Sequence, residues 1–241
     1  EMLRSLVGSE MCIRDRSYSE QGLGSLSTLA HEIGHSMHTL LTCQTQPFIY
    51  SEYSIFAAEV ASNFNQALVR AHLLKLDRGR DFEIAVIQEA MDNFHRYLFL
   101  MPINAQFEHW MHTTVEQGGA LTADAMSAKL VELFRRGYGD AVHLDEPRVG
   151  VTWMQFSHFF ADYYVWQYAS GISAANALAD AVLSGEAGVV KRYLDFLKAG
   201  SAMYPLDALK MTGIDMTQPE PLDRAFQVLE RIVDRLAQLV S

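Results

Sequence analysis

The chain has 241 residues, of which 49% are hydrophobic and 20% are charged, and this is enough for a sizeable hydrophobic core. Its formal net charge of -10 disfavours a nucleic-acid partner, because proteins of that class present a basic face. No apolar run reaches the roughly 18 residues that a transmembrane helix needs, so we predict no membrane partner. Cys12 and Cys43 alone cannot build a disulfide framework, and we predict a cytoplasmic location.

Residues 1–16 do not follow the pattern of the rest of the chain. They end in Glu-Met-Cys-Ile-Arg-Asp-Arg, which resembles a translated sequencing adapter. We therefore expect residues 1–16 to be a non-native head and residues 17–241 to form the folded domain.

Helical spacing dominates the sequence after Ser25, and no strand pattern interrupts it, which predicts an all-α fold. The first helix ends before Pro47 and has a stripe of apolar residues at Leu26, Leu29, Ile33, Met37 and Leu40. Further helices are predicted at about Ser51–Leu74, Asp81–Gln117, Val151–Ser170 and Pro221–Val240. Pro102 predicts a kink or break in the long third segment, and Thr122 is expected to cap the helix that follows it.

The first helix contains the H-E-x-x-H sequence His31-Glu32-Ile33-Gly34-His35. Positions four apart lie on one face of a helix, so both imidazoles can bind one metal ion, and zinc is the metal expected. Glu32 is rotated off that face, where it can act as a general base without being a ligand. Gly34 costs a helix about 1 kcal/mol relative to alanine, which indicates that another segment approaches closely there.

Such a site needs a third protein ligand. Glu52 and Glu59 are seven residues apart and so on one face of the predicted second helix. Glu59 has small or apolar neighbours, so its carboxylate needs a partner that offsets desolvation, whereas Glu52 is also explained by the dipole at the helix start. His38 shares the face of the motif but lies too far along a straight helix to bind the same ion. We predict that it is either a core residue or a residue that supports the ligands from behind.

Several stretches of this chain together resemble the oligoendopeptidase F family, whose relatives include thimet oligopeptidase and neurolysin. The resemblance begins at about Leu23 and reaches the C-terminal part of the chain. It is found at Thr28–His38, Tyr50–Ser62, Phe107-Glu108, Val115–Gly118, His158–Gly171 and Tyr204–Lys210.

The resemblance implies one zinc ion per chain, bound by His31, His35 and Glu59, with Glu32 as the general base. It also implies a multi-helix zincin-type catalytic domain that forms one wall of a deep channel, which admits only short peptides. The family's chains are far longer on the N-terminal side. We therefore expect this chain to be a C-terminal catalytic portion without that half.

Members of the family place a histidine and tyrosines opposite the zinc, where they bind the carbonyl of the scissile peptide bond. The resemblance implies that His158 and Tyr164 are catalytic, and that Tyr163 and Tyr168 bind substrate. Tyr164 and Tyr168 would share a helix face, with His158 in the loop before that helix. Thimet oligopeptidase has a glycine-rich loop here, but this chain has no glycine from 151 to 170, so the choice among the tyrosines stays open.

We predict a zinc-dependent endopeptidase of short oligopeptides, in which Glu32 takes a proton from the attacking water. An all-helical metallocarboxypeptidase is an alternative, but it needs a cation for the substrate's terminal carboxylate, and no Lys or Arg lies between Arg16 and Arg70. A non-catalytic di-iron bundle would need a second Glu-x-x-His motif, and Glu32–His35 is the only one. Nothing in the sequence selects an oligomeric state. We expect core or surface roles for His72, His95, His109, His112 and His143.

Overall fold

A computed structural model describes residues 22–241, so the predicted non-native head lies outside the described residues. The regular elements of the described part are all helices, which confirms the all-α class. None of these helices combines the length and the apolar character that crossing a membrane requires.

Between residues 22 and 241, ten α-helices follow one another, joined by short 3₁₀ turns and one π-helical segment. The α-helices are α1 (Leu23–Thr45), α2 (Ile55–Leu74), α3 (Arg80–Phe94), α4 (Met101–Glu116), α5 (Ala123–Tyr138), α6 (Glu146–Gly150), α7 (Gln167–Leu183), α8 (Val189–Leu197), α9 (Pro205–Lys210) and α10 (Glu220–Val240). The remaining elements are Phe48–Tyr50, His95–Leu100, Gly139–Ala141, Thr152–Met154 and Ser157–Phe160.

The described chain divides into two compact units. Unit 1 comprises residues 22–93 and 170–241, and unit 2 comprises Phe94–Ala169. Unit 1 has a core built from α2, α7 and α8, in which Val60, Leu178 and Phe196 are fully buried. The α7 side of this core consists largely of alanines, and such short side chains let helices pack closely.

The apolar stripe of α1 is not the face that this helix buries. Leu29, Ile33, Met37 and Leu40 are each at least 36% exposed. Apart from Glu32, the buried positions are small or polar and repeat every four residues, at Ala30, Gly34, His38 and Thr42. This face packs on α2, whose backbone approaches so closely at Gly34 that a row of large side chains would not fit.

Helix α2 begins later than predicted. Ser54 is its N-cap, and the Ser54 side chain accepts a hydrogen bond from the Ala57 N–H. Glu52 therefore precedes the helix, and it is exposed. The prediction that Glu52 and Glu59 share a helix face is wrong, because the serine cap starts the helix three residues beyond Glu52.

The single long helix predicted over residues 81–117 is three elements. Helix α3 gives way to the π-helical segment His95–Leu100, and α4 then starts with Pro102 in its first turn. Proline lacks an N–H and its ring clashes with the carbonyl four residues earlier, which a wider π turn avoids. The predicted disruption at Pro102 is confirmed.

In unit 2 the predicted cap at Thr122 is confirmed, since its side chain accepts from the Ala125 N–H at 3.2 Å. The predicted helix at Val151–Ser170 is wrong over most of its length: 3₁₀ turns and a loop occupy it until α7 begins. Trp153, Phe156 and Phe159 are three residues apart and pack into the cores of this unit. These aromatic side chains therefore reach the cores from two short 3₁₀ turns and the loop between them.

Candidate metal centre

The two motif histidines lie one turn apart on α1, and their rings turn toward one point. The His31 Nε2 and His35 Nε2 atoms are 3.1 Å apart. The ring planes are nearly perpendicular, at 87°, with centroids 4.7 Å apart. Both imidazoles thus present the same kind of nitrogen to one position.

Glu59 on α2 completes the group. Its Oε2 atom is 3.7 Å from His31 Nε2, and its Oε1 atom is 3.9 Å from His35 Nε2. Ser62 Oγ and Asn63 Nδ2 lie 3.4 and 3.3 Å from Glu59 Oε2 and can donate to it. Two imidazoles and a carboxylate therefore face one another across the α1–α2 contact.

Glu59 is 3% exposed, and this burial is the main cause that raises the pKa of its carboxyl to about 7. The hydrogen bonds from Ser62 and Asn63 act to lower the pKa, while the charge of Glu32 acts to raise it. A buried carboxylate is costly without a partner of opposite charge. A divalent cation at this point would provide one.

The donor set fits a zinc ion. One nitrogen from each histidine and one oxygen from Glu59 all lie within 4.8 Å of one another. Ligands about 2.0–2.1 Å from a tetrahedral zinc are roughly 3.3 Å apart, which is close to the separations found here. Within residues 22–241, no second group of three or more His, Cys, Asp or Glu side chains meets the same condition.

Two glycines let three helices meet at this point. A Cβ added to Gly34 of α1 would lie 2.6 Å from both the Ala61 carbonyl oxygen and the Ser62 Cα of α2. A Cβ added to Gly171 of α7 would lie 2.6 Å from the Glu59 Cβ. The close approach that Gly34 predicts is present, whereas no feature of the sequence pointed to Gly171.

Glu32 is buried beside His31 on α1, and its charge acts on the carboxyl of Glu59. Its carboxylate is therefore near the donor group. Because it follows His31 directly, it faces a different direction from the two imidazoles.

The other candidate ligands of the sequence lie elsewhere. His38 is a core residue, as predicted, with its ring stacked on Tyr53 at a centroid distance of 3.7 Å. Glu52 is exposed before α2, and the isolated histidines at 72, 95 and 143 are exposed as well.

The predicted substrate-binding block lies in unit 2, and three of its members form a cluster. The His158 ring centroid is 4.9 Å from that of Tyr164 and 5.5 Å from that of Tyr168. The two tyrosine hydroxyl oxygens are 3.3 Å apart, although Tyr164 lies in a loop and not on a helix face. Burial lowers the pKa of His158, which favours its neutral form. Tyr163 lies outside this cluster. Its ring stacks on that of His112, with the ring centroids 4.6 Å apart.

Sequence reasoning missed how the loop that bears Tyr164 is held. Glu108 of α4 is buried, and its carboxylate lies 3.2 Å from the Tyr164 N and 3.4 Å from the Val165 N, which donate to it. Tyr163, just before, has a left-handed backbone with a φ of 47°. The sequence feature that could have revealed this contact is the position of Glu108, directly after Phe107 on the apolar side of a helix. A buried acid there needs hydrogen-bond donors.

Comparison with known proteins extends these observations. Residues 19–228 match Peptidase family M3. Oligopeptidase PepF of Bacillus subtilis is 39% identical over 218 residues, which cover 90% of this chain and 32% of that protein. The chromosomal oligoendopeptidase F of Lactococcus lactis subsp. cremoris is 35% identical over 219 residues, which cover 91% and 36%. The chain thus spans about a third of the length of these relatives.

A solved structure shares the fold. The crystal structure of oligoendopeptidase-F from Enterococcus faecium matches with a TM-score of 0.77 and 35% sequence identity. The match covers 90% of this chain and 39% of that one. Because the family match runs from residue 19 to 228, and sequence and fold agree over the same part, this chain belongs to Peptidase family M3.

Proposed function

We propose that this chain carries the zinc centre of a metallo-endopeptidase that hydrolyses short oligopeptides. The observation that supports this most strongly is the convergence of His31 Nε2, His35 Nε2 and one Glu59 carboxylate oxygen within 4.8 Å. The relatives' names, oligopeptidase and oligoendopeptidase F, support the substrate class.

In this proposal His31, His35 and Glu59 hold one zinc ion. When bound, zinc supplies a Lewis acid that makes water nucleophilic at neutral pH. Glu32 accepts the proton of the attacking water and then gives it to the amine that leaves. Its burial next to the donor group, without being part of it, suits this role.

His158 and Tyr164 are proposed to donate hydrogen bonds to the substrate carbonyl as negative charge develops on it. The lowered pKa of His158 favours a neutral ring, which still has one N–H to donate. Tyr168 is proposed to contact substrate beside Tyr164, since their hydroxyls are 3.3 Å apart. Tyr163 is proposed to contact substrate from its position on His112.

We also propose that the protein acts in the cytoplasm. The described part of the chain has a free cysteine, Cys43, which is exposed. An exposed thiol is stable in a reducing compartment.

The first experiment measures metal in the purified chain by mass spectrometry, before and after dialysis against a chelator. One zinc per chain is expected, with loss of binding in His35→Ala. A chain that takes up no zinc would refute the metal centre.

The second experiment tests the chemistry. Because the chain spans about a third of its relatives, residues 19–228 replace the matched segment of oligopeptidase PepF, and hydrolysis of a quenched fluorescent oligopeptide is followed. Glu32→Gln in this chimera should keep zinc but lose at least about 100-fold in turnover, since an amide cannot accept the proton. The matched control is Glu52→Gln, the same change at an exposed acid, which should leave turnover unchanged. Full turnover by Glu32→Gln would exclude its role as the base.

A further inference from the structure

The His31 ring has a second nitrogen, which faces away from the donor group. His31 Nδ1 is 3.1 Å from the Oε1 atom of Gln66. Gln66 lies on α2 seven residues after Glu59, so two turns of one helix present both side chains to His31. It is 6% exposed, and a buried amide must satisfy both its oxygen and its nitrogen.

The nitrogen of Gln66 is satisfied by a chain of polar groups that leads away from the site. Gln66 Nε2 donates to Ser27 Oγ at 2.7 Å. Arg70 Nη2 lies 3.4 Å from the same Ser27 oxygen. Arg70 also donates to both carboxylate oxygens of Glu89, at 2.5 and 2.9 Å. The chain of groups therefore ends in a two-pronged ion pair, which is a rigid anchor.

The direction of these hydrogen bonds decides which nitrogen of His31 can bind a metal. An imidazole that binds through Nε2 carries its proton on Nδ1, and this N–H needs an acceptor. Gln66 provides one only when its oxygen faces His31 and its NH2 group faces Ser27. If the amide were turned over, its NH2 would donate to Nδ1, and the proton of His31 would lie on Nε2 instead.

We propose that Gln66 is a positioning residue that holds His31 in the Nδ1–H tautomer, with Ser27 and the Arg70–Glu89 pair fixing the amide. The inference rests on the proposed zinc centre. Gln66 does not contact the metal position itself, and it acts through the ring that it orients. Because an amide is neutral, it supplies the hydrogen bond without adding a charge next to Glu59 and Glu32.

The test compares zinc affinity, measured by competition with a chromophoric chelator, in the wild type and in variants of Gln66. Gln66→Leu removes the acceptor and should weaken zinc binding about 10- to 100-fold, as expected when a hydrogen-bond partner of a ligand histidine is lost. Gln66→Glu restores an acceptor and should bind zinc at least as tightly as the wild type. The matched control is Gln46→Leu, which removes a glutamine hydrogen bond to Lys198 O elsewhere in unit 1 and should leave the affinity unchanged.

A second measurement needs no metal. In the zinc-free wild type with ¹⁵N-labelled histidine, nuclear magnetic resonance should show His31 mainly as the Nδ1–H tautomer, and Gln66→Leu should shift it toward Nε2–H. Should Gln66→Leu fail to melt cooperatively, Ser27→Ala replaces it. That variant removes only the acceptor of the Gln66 NH2 group and should shift the tautomer in the same direction.

The outcomes separate this inference from the function on which it rests. A wild type that binds no zinc refutes the proposed centre, and the tautomer of zinc-free His31 then still decides the role of Gln66. Normal zinc binding by Gln66→Leu overturns the inference and leaves the zinc centre standing. An affinity of Gln66→Glu as low as that of Gln66→Leu also overturns it, because the acceptor would then not matter.

Discussion

The contact at Gly34 makes a direct prediction about the metal centre. In Gly34→Ala the new Cβ would lie 2.6 Å from the Ala61 carbonyl oxygen and from the Ser62 Cα, where ordinary contacts are 3.4–4 Å. Both obstacles are backbone atoms, so no side-chain rotation relieves the clash. Helices α1 and α2 must instead move apart by about 1 Å.

The cost to the fold is modest. Overpacking of this kind costs about 1–3 kcal/mol, and the better helix propensity of alanine returns about 1 kcal/mol. The net loss of about 0–2 kcal/mol leaves a domain of ordinary stability folded. The Glu59 oxygens, which lie 3.7 and 3.9 Å from the two Nε2 atoms, would move further away from the roughly 3.3 Å separation that suits zinc ligands.

We therefore expect Gly34→Ala to lose at least about tenfold in zinc affinity while its circular dichroism stays helical. Affinity is measured by chelator competition and stability by thermal melting. The control is Gly24→Ala in the same helix, where an added Cβ meets nothing within 4 Å. That variant should bind zinc normally and melt no earlier than the wild type. Wild-type zinc affinity in Gly34→Ala would show that the helix spacing does not set the site.

Three further predictions concern the fold. Leu178→Ala opens a cavity at a fully buried position and should lower the free energy of unfolding, measured by chemical denaturation, by about 2–5 kcal/mol. A loss below about 1 kcal/mol would contradict this packing. Thr122→Ala should cost about 0.5–2 kcal/mol through its cap, with Thr122→Ser close to the wild type. The hydrogen bond from Arg235 lowers the pKa of Glu83. The stabilisation of the fold by this pair is therefore present above the ordinary pKa of 4.5 and is lost as the pH falls through the folded-state pKa. Arg235→Ala should raise the pKa of Glu83 in a nuclear magnetic resonance titration, and an unchanged pKa would count against the pair.

The sequence predicted the parts of the site that depend on local spacing. A separation of four residues places His31 and His35 on one face of any helix, whatever packs around it. The apolar neighbourhood of Glu59 correctly predicted its burial. Spacing alone could not show which of Glu52 and Glu59 lies beside the two histidines. That choice depends on the start of the helix, because Ser54 caps it after Glu52.

Features that depend on contacts between distant segments could not be predicted. The buried face of α1 is not its apolar stripe, and helix periodicity alone does not reveal which neighbour comes closest. Tyr164 meets Tyr168 through a loop held by Glu108, and nothing in the 3.6-residue period predicts that contact. Gln66 does stand two turns after Glu59, but its contacts with His31 and Ser27 depend on how α1 packs on α2, which spacing does not show.

The order of segments in unit 1 has a consequence for synthesis of the protein. His31, His35 and Glu59 leave the ribosome before unit 2, whereas Gly171, which packs on the Glu59 Cβ, follows it. A nascent chain that stops within unit 2 has all three donor residues but lacks the helix that covers the back of Glu59. The position of the Glu59 side chain would then be loosely fixed. We therefore expect the proposed metal site to become tight only once α7 has been made and has docked, which would link metal binding to synthesis of the whole unit.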